Sequence, residues 1–178
     1  MKEDIAKVLL TEEELKNKVS EIGKQITEDY RGKDLLIICV LRGAVIFLSD
    51  LLREIDTQVD MDFMAVSSYQ GTKSTGVVKI IKDLQTDIKG KEVLIVEDIL
   101  DTGRTLDYLI RLLKERDPAS VKVCSLLIKK EREVVKVPVD YYGFYIPDEF
   151  VVGYGLDYND RYRNLKYIGV LKEEIYTD

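Results

Sequence analysis

The segment spanning residues 92–106 constrains the fold of this chain more than any other. Four apolar residues run together from 93 to 96, and two adjacent carboxylates follow them, Glu97 and Asp98. A continuous apolar run bounded by polar residues is typical of a strand buried on both faces. After a short turn, apolar residues recur with helical spacing from Leu106. The segment therefore predicts a strand, a turn and a helix, which is half of a βαβ unit. In open α/β sheets, ligands bind beyond the carboxyl ends of such strands.

The predicted turn has the composition of a phosphate site. It contains the residues Asp101, Thr102, Gly103, Arg104 and Thr105. Free backbone N–H groups and the positive end of the helix dipole favour an anion where a helix begins. The carboxylates of Glu97 and Asp98 would repel that anion, so they suit vicinal sugar hydroxyls, a divalent cation, or both. These groups together predict a pocket for a phosphorylated sugar; the alternative is a solvated acidic turn after an ordinary strand.

Further apolar runs surround this central unit. Thr11 and the glutamates after it predict a capped amphipathic helix that ends near Tyr30. Strands are predicted at 35–41, 60–66, 77–84, 120–128, 140–147 and 167–171, and helices at 44–54 and 103–116. We expect an α/β fold in which a parallel sheet is flanked by helices and carries a small hood subdomain. Residues 1–178 would form a single domain, with the hood built from the N-terminal segment and the C-terminal part.

Composition and charge exclude several classes of function. The net charge of −6 argues against nucleic acid as the main partner. No apolar run reaches the ~20 residues that span a bilayer, and the first residues do not begin a signal peptide, so we expect no membrane partner and a cytoplasmic location. The chain has no histidine, which removes Ser-His-Asp and Cys-His catalysis. Cys39 and Cys124 both lie within apolar runs and are predicted to be buried core residues.

Two other segments carry a possible function. Arg42 and Gly43 follow the apolar run 35–41, so they form either an anion contact at a strand end or an ordinary surface turn. The run 67–76, which begins with Ser67, Ser68 and Tyr69, is small, polar and rich in glycine. Such a segment is either an ordinary hairpin loop or a lid that excludes water during a reaction.

Residues 93–106 resemble the phosphoribosyl pyrophosphate motif of the type I phosphoribosyltransferases. That motif is a hydrophobic strand, two acidic residues, two apolar residues and then Asp-Thr-Gly-x-Thr, and every position matches. Residues 142–165 resemble the hypoxanthine-guanine members of the family through Gly-Phe-x-Ile-Pro-Asp, Phe-Val-Val-Gly-Tyr-Gly-Leu-Asp-Tyr and Tyr-Arg-Asn-Leu. These motifs lie in the carboxy-terminal third, but the resemblance to the hypoxanthine-guanine members extends over nearly the whole chain.

The resemblance implies a reaction in purine salvage. The 5-phosphoribosyl group would pass from phosphoribosyl pyrophosphate to hypoxanthine or guanine, giving IMP or GMP and pyrophosphate, with Mg²⁺ as cofactor. Family members are usually homodimers or homotetramers. Two alternatives remain open: a transferase for another base such as xanthine or orotate, and an RNA-binding pyrimidine regulator of the same fold.

The resemblance also implies roles for individual residues. The ribose and 5-phosphate would be bound by Glu97, Asp98, Asp101, Thr102, Gly103, Arg104 and Thr105, with Asp101 as the catalytic residue. Pyrophosphate would be bound by Leu41, Arg42, Gly43 and Arg163, with a cis peptide bond between Leu41 and Arg42. The purine would be bound by Lys129, Phe150, Val151 and Asp157, the metal by Glu97, Asp98 and Asp157, and the flexible loop would include Ser67, Ser68 and Tyr69. Bacterial members often read Leu-Asp-Lys-Pro where this chain reads Leu-Ile-Lys-Lys, so Lys130 is the alternative to Lys129.

Overall fold

The structure, a computed structural model, describes residues 1–68 and 78–177. Its main elements are, in chain order, β1 (Ile5–Leu10), α1 (Glu12–Tyr30), β2 (Leu35–Leu41), α2 (Val45–Glu54), β3 (Val59–Ser68), β4 (Val78–Lys82), β5 (Glu92–Leu100), α3 (Arg104–Lys114), β6 (Ser120–Ile128), β7 (Tyr141–Tyr145), β8 (Val151–Val152), β9 (Ile168–Leu171) and α4 (Glu173–Tyr176). Short 3₁₀ helices cover Lys2–Asp4 and Lys130–Arg132.

Six strands form the central sheet in the order β4-β3-β2-β5-β6-β7. All neighbouring pairs are parallel except β3 and β4, which pair antiparallel at one edge. β2 and β5 lie side by side in the middle, so their carboxyl ends emerge together at one edge of the sheet. The predicted α/β fold class is confirmed, and the chain turns after β2 and β5 are adjacent in space.

The central strands are buried on both faces because each face is covered by helices. Alternate residues of β2 enter two different hydrophobic clusters: Ile37 packs with α1 and α2, whereas Ile38 packs with α3. This two-sided burial explains why the sequences of β2 and β5 are continuous apolar runs rather than alternating ones. Cys39 and Cys124 are buried and free, as predicted.

The capped helix is confirmed in detail. Thr11 accepts a hydrogen bond from the Glu14 N–H at 3.2 Å, and Glu14 accepts one from the Thr11 N–H at 2.8 Å, which completes a capping box. β5 differs from the prediction, because the strand does not end before the two carboxylates. It continues to Leu100, since Glu97 and Ile99 keep their pairing with β6.

A second sheet joins the two ends of the chain. β9 pairs antiparallel with both β1 and β8, so residues 5–10 meet residues 168–171. We call this three-stranded sheet and the residues packed beneath it the hood. Its core is a small separate cluster of Val152, Tyr162, Leu165 and Leu171. Within residues 1–68 and 78–177, no helix has the length and apolar character needed to cross a membrane.

Candidate active site

The turns after β2 and β5 enclose a cavity of about 320 Å³. It brings together eleven of the residues predicted to bind substrate: Leu41, Arg42, Gly43, Glu97, Asp98, Asp101, Thr102, Gly103, Thr105, Asp157 and Arg163. Arg104 begins α3 but is exposed and does not line this cavity. The cavity lies beyond the carboxyl ends of β2 and β5, which is where ligands bind in open α/β sheets.

Gly103 allows the phosphate turn to form. Its φ is +80°, and it stands immediately before α3 as the N-cap residue. A Cβ at this position would collide with the carbonyl of Val135. The Thr102 carbonyl accepts the N–H groups of both Val134 and Val135 at 3.0 Å. The chain after β6 is therefore held against the turn by these hydrogen bonds.

Glu97 and Asp98 form a closely coupled carboxylate pair. Burial, and secondly the charge of Asp98, raises the pKa of Glu97 well above its usual value. Burial likewise raises the pKa of Asp98 to about 6. Two adjacent carboxyl groups with raised pKa values mark a candidate functional site, because a cation or hydroxyl donors would offset the cost of their burial.

Asp101 sits in a charge network that joins it to the predicted purine-reading lysine. Its carboxylate lies 3.0 Å from Arg132 Nε. Arg132 also lies 3.9 Å from Asp148, and Asp148 lies 3.3 Å from Lys129 Nζ. Lys129 is mostly covered, with 12 % of its side chain exposed. Lys130 instead points outward, with its Nζ 4.0 Å from the ring centroid of the exposed Tyr145.

The residues predicted to bind pyrophosphate also lie together in the cavity lining. The Leu41–Arg42 peptide bond is cis, which confirms that prediction. Arg163 Nη1 donates to the Gly155 carbonyl at 2.7 Å, and its Nη2 lies 2.8 Å from Asp157. Arg42 reaches across to Asp160, with Nη2 and Oδ1 separated by 2.6 Å.

Of the predicted purine contacts, only Asp157 lines the cavity, whereas Lys129, Phe150 and Val151 lie outside its lining. Val151 is buried in β8, where it pairs with β9 of the hood. Phe150 is 36 % exposed, and its ring is stacked on Tyr176 with centroids 4.8 Å apart. Tyr158 meets the same ring edge-on at 5.6 Å. Phe150 therefore already belongs to an aromatic cluster at the edge of the hood.

The three predicted metal ligands all line the cavity but do not form a cluster of their own. Among residues 1–68 and 78–177, no group of three His, Cys, Asp or Glu side chains is arranged to hold a metal ion. Mg²⁺ in proteins is usually held by one or two carboxylates together with substrate phosphates and water. The hard oxygens of Glu97, Asp98 and Asp157 fit that mode of binding.

Ser67 and Ser68, predicted to begin the flexible loop, are the last residues of β3. Tyr69 and the rest of the predicted lid to residue 76 lie outside the described residues.

Sequence reasoning missed several residues that touch the predicted site residues, among them Arg132, Asp148, Tyr158, Asp160 and Tyr176. Arg132 follows Lys129 closely in sequence, and Asp148 closely precedes Phe150. Their charges beside predicted purine-binding residues were the available signal. Asp160 and Tyr176 meet Arg42 and Phe150 across long stretches of chain, and no local pattern marks them.

Comparison with known families decides the classification. Residues 7–159 match the family described as the phosphoribosyl transferase domain. The chain belongs to this family of phosphoribosyltransferases. The strand, turn and helix of residues 92–106, and the cavity beside them, are therefore features of a type I phosphoribosyltransferase fold.

Individual relatives narrow the relationship to the hypoxanthine-guanine branch. The chain is 52 % identical over 178 residues to the hypoxanthine-guanine phosphoribosyltransferase of Streptococcus thermophilus, with 99 % of each chain covered. A crystal structure of a hypoxanthine phosphoribosyltransferase from Staphylococcus aureus has a TM-score of 0.97 at 51 % identity and covers 100 % of this chain and 97 % of its own. The predicted resemblance is confirmed.

Some relatives are much longer. The bifunctional protein TilS/HprT of Listeria innocua is 55 % identical over 179 residues, and the match covers all of this chain. The chain spans 28 % of the length of that relative. The phosphoribosyltransferase domain is therefore found both in proteins of this length and within longer ones.

Proposed function

We propose that this chain transfers the 5-phosphoribosyl group of phosphoribosyl pyrophosphate to hypoxanthine or guanine, giving IMP or GMP and pyrophosphate. The observation that carries the proposal is the cavity at the ends of β2 and β5, where the turn before α3, a half-buried carboxylate pair and two arginines converge. The similarity to relatives named hypoxanthine-guanine phosphoribosyltransferase supports the choice of bases.

Positive charge develops at the anomeric carbon as pyrophosphate leaves. The carboxylates of Glu97 and Asp98 would accept hydrogen bonds from the ribose hydroxyls, and their negative charge would stabilise the developing positive charge. Asp101 would accept or stabilise the proton on the imidazole-ring nitrogen of the purine, a contribution of roughly 10²–10⁴ in rate. Arg42 and Arg163 would neutralise the departing diphosphate.

Magnesium fits this scheme as the partner of the diphosphate. With one or two of the carboxylates of Glu97, Asp98 and Asp157 as ligands, together with substrate phosphates, Mg²⁺ would supply positive charge to the leaving group. The protein's own contribution is to bring oxygen ligands from β5 and from the segment before Arg163 to one cavity.

Lys129 is proposed to select 6-oxopurines. Its ammonium group is mostly covered and is paired with Asp148, so it is held in place as a donor. A 6-oxopurine offers an acceptor at this point, whereas the amino group of adenine cannot accept a hydrogen bond. With adenine, two hydrogen-bond donors would face each other, so this contact would be lost and adenine would be disfavoured.

The proposal is tested by product formation. The chain is incubated with Mg²⁺, phosphoribosyl pyrophosphate and either hypoxanthine or guanine, and nucleotide and pyrophosphate are quantified by chromatography and mass spectrometry. Equimolar formation of IMP or GMP and pyrophosphate is expected. Absence of nucleotide with both bases contradicts the proposal. The family resemblance also leads us to expect a homodimer or homotetramer, which light scattering measures directly.

A further inference from the structure

One carboxylate lies between the two arginines that face the pyrophosphate. Asp160 Oδ1 is 2.6 Å from Arg42 Nη2 and 3.3 Å from Arg163 Nη2. Both Arg42 and Asp160 are largely exposed, so neither is required to fill the core. With Asp157 paired to Arg163 as well, two positive and two negative side chains balance at this end of the cavity.

The backbone holds Asp160 in this place. Residues 158–161 form a tight turn, in which Tyr158 and Arg161 exchange hydrogen bonds of 3.3 and 3.0 Å between their main chains. Asn159 and Asp160 have φ values of +51° and +59°, the left-handed pair typical of a type I′ turn. The N–H of Asp160 also donates to Asp157 Oδ2 at 2.8 Å. The carboxylate is therefore presented by a defined turn and not by a free chain.

The segment carrying this turn is pressed onto the pyrophosphate turn. Gly155 has a φ of +100°, and a Cβ there would collide with the carbonyl of Gly43. Arg163 fixes the same segment through its bond to the Gly155 carbonyl. Because the segment and the β2–α2 turn touch directly, a carboxylate at position 160 can reach Arg42 across them.

We propose that Asp160 is an internal competitor of pyrophosphate. It occupies the guanidinium groups of Arg42 and Arg163 in the free protein, and a diphosphate must displace it or bind against its charge. The effect is to weaken the affinity for pyrophosphate and for the diphosphate of phosphoribosyl pyrophosphate, which speeds release of the product. This inference rests on the proposed function, because it assigns those two arginines to the leaving group.

The variant Asp160→Asn tests it with little change in structure. Asparagine also tolerates the left-handed conformation and keeps the same backbone N–H, so only the charge is lost. The matched control is Asp34→Asn, which removes another exposed carboxylate paired with a cation, Lys91, at the opposite end of the sheet. The measurements are the inhibition constant of pyrophosphate against phosphoribosyl pyrophosphate, the KM for the latter, and calorimetric binding of pyrophosphate with Mg²⁺.

We expect Asp160→Asn to tighten pyrophosphate binding by about 3- to 10-fold and to lower the KM for phosphoribosyl pyrophosphate by a similar factor. The reason is that the two exposed ion pairs that compete with the ligand are lost. The gain should shrink at 1 M salt and in the Arg42→Ala background, and Asp34→Asn should show none. Damage to the fold would weaken binding, so it cannot imitate this result. Unchanged or weaker pyrophosphate binding in Asp160→Asn overturns the inference.

Failure of the proposed function is read separately. It appears as a wild-type protein that forms no nucleotide, whereas calorimetry with pyrophosphate needs no turnover. A wild-type protein that is active, combined with an Asp160→Asn variant that binds pyrophosphate no more tightly, contradicts only the role of Asp160.

Discussion

The predicted phosphate side and the predicted base side of the site are built from different kinds of structure. The phosphate side consists of the turns that directly follow β2 and β5, the two middle strands of the parallel sheet. The base side consists of Lys129, just after β6, together with Phe150 and Val151, where the chain enters the hood. The first region rests on two hydrophobic clusters of the sheet, and the second rests on contacts between distant segments.

This difference separates two kinds of substrate recognition. Groups on the phosphate side are proposed to contact parts of the substrate that are the same for every base, so their loss should reduce all reactions alike. Groups on the base side are proposed to contact only the purine, so their loss should change which base is used. The measured effect of each variant below tests this distinction between the two sides.

Asp101→Asn should have the largest effect, because Asp101 belongs to the phosphate turn by sequence and faces the base by its proposed role. We expect the chemical step to slow by roughly 10²–10⁴ with every base, since an amide cannot accept the purine proton. Affinity for phosphoribosyl pyrophosphate should stay near the wild-type value. Single-turnover kinetics and a binding titration measure the two quantities. An unchanged single-turnover rate would remove Asp101 from the mechanism.

Gly103→Ala should damage the phosphate side alone. The substitution forces a Cβ into the Val135 carbonyl. It should therefore disturb the N–H groups that are proposed to receive the 5-phosphate. Losing a hydrogen bond to a charged group costs about 1.5–3 kcal/mol, so affinity for phosphoribosyl pyrophosphate should fall by roughly 10- to 100-fold for all bases.

Gly90→Ala is the matched control for Gly103→Ala. Its φ of +73° is similar, but an added Cβ there meets no atom within 4 Å. This control should lose only about 1–2 kcal/mol of stability from the left-handed backbone and keep its affinity. Equal losses of affinity in the two variants would show that the close contact with Val135 is unimportant.

Lys129→Gln should change the base side alone. A neutral amide can present either a donor or an acceptor, so we expect the preference for 6-oxopurines over adenine to fall by about tenfold. Affinity for phosphoribosyl pyrophosphate should not change. Lys130→Gln is the control, because Lys130 lies over the exposed Tyr145 ring. If Lys130→Gln alters the base preference and Lys129→Gln does not, the purine-reading lysine is Lys130.

Asp62→Asn should change the stability of the sheet without changing base preference. Asp62 is buried and accepts the N–H groups of Gln85 and Thr86 at 2.8 Å. Burial alone would raise the pKa of Asp62, but the backbone N–H groups of Phe63, Thr86 and Gln85 bring it below its usual value. We expect a loss of about 1.5–3 kcal/mol in the free energy of unfolding at pH 7.

The pH dependence of that loss follows from the lowered pKa. A carboxylate with a lowered pKa in the folded state stabilises the protein above its unfolded pKa and loses that effect as the pH falls through the folded value. The difference between wild type and Asp62→Asn should therefore shrink in acid. Denaturant unfolding at pH 7 and at pH 3 measures it, with the exposed Asp87→Asn as control. A difference that is constant with pH would contradict the assigned hydrogen bonds.

The same division explains how much could be predicted from the sequence. The bounds of β2, α1 and β6, and the phosphate turn before α3, follow from local patterns such as apolar runs and the Thr11 cap. β1 has no comparable signal, because it is a partly exposed edge strand that pairs with β9 at the other end of the chain. Local spacing carries no information about such a distant partner.

The site shows the same limit at the level of single residues. Glu97, Asp98 and Asp101 were predicted from one short segment. The contact of Asp160 with Arg42 joins residues that are far apart in sequence, as does that of Tyr176 with Phe150. These contacts depend on how the hood is seated on the sheet, and they became visible only with the fold.

The most direct test of the account is the relative kcat/KM of the wild-type protein for a panel of bases. With Mg²⁺ and phosphoribosyl pyrophosphate held constant, initial rates are measured with hypoxanthine, guanine, xanthine, adenine, orotate and uracil. The account predicts efficient reaction with hypoxanthine or guanine and negligible reaction with adenine, orotate and uracil. A preference for adenine or for a pyrimidine would contradict the assignment of Lys129 and Phe150 to a 6-oxopurine site.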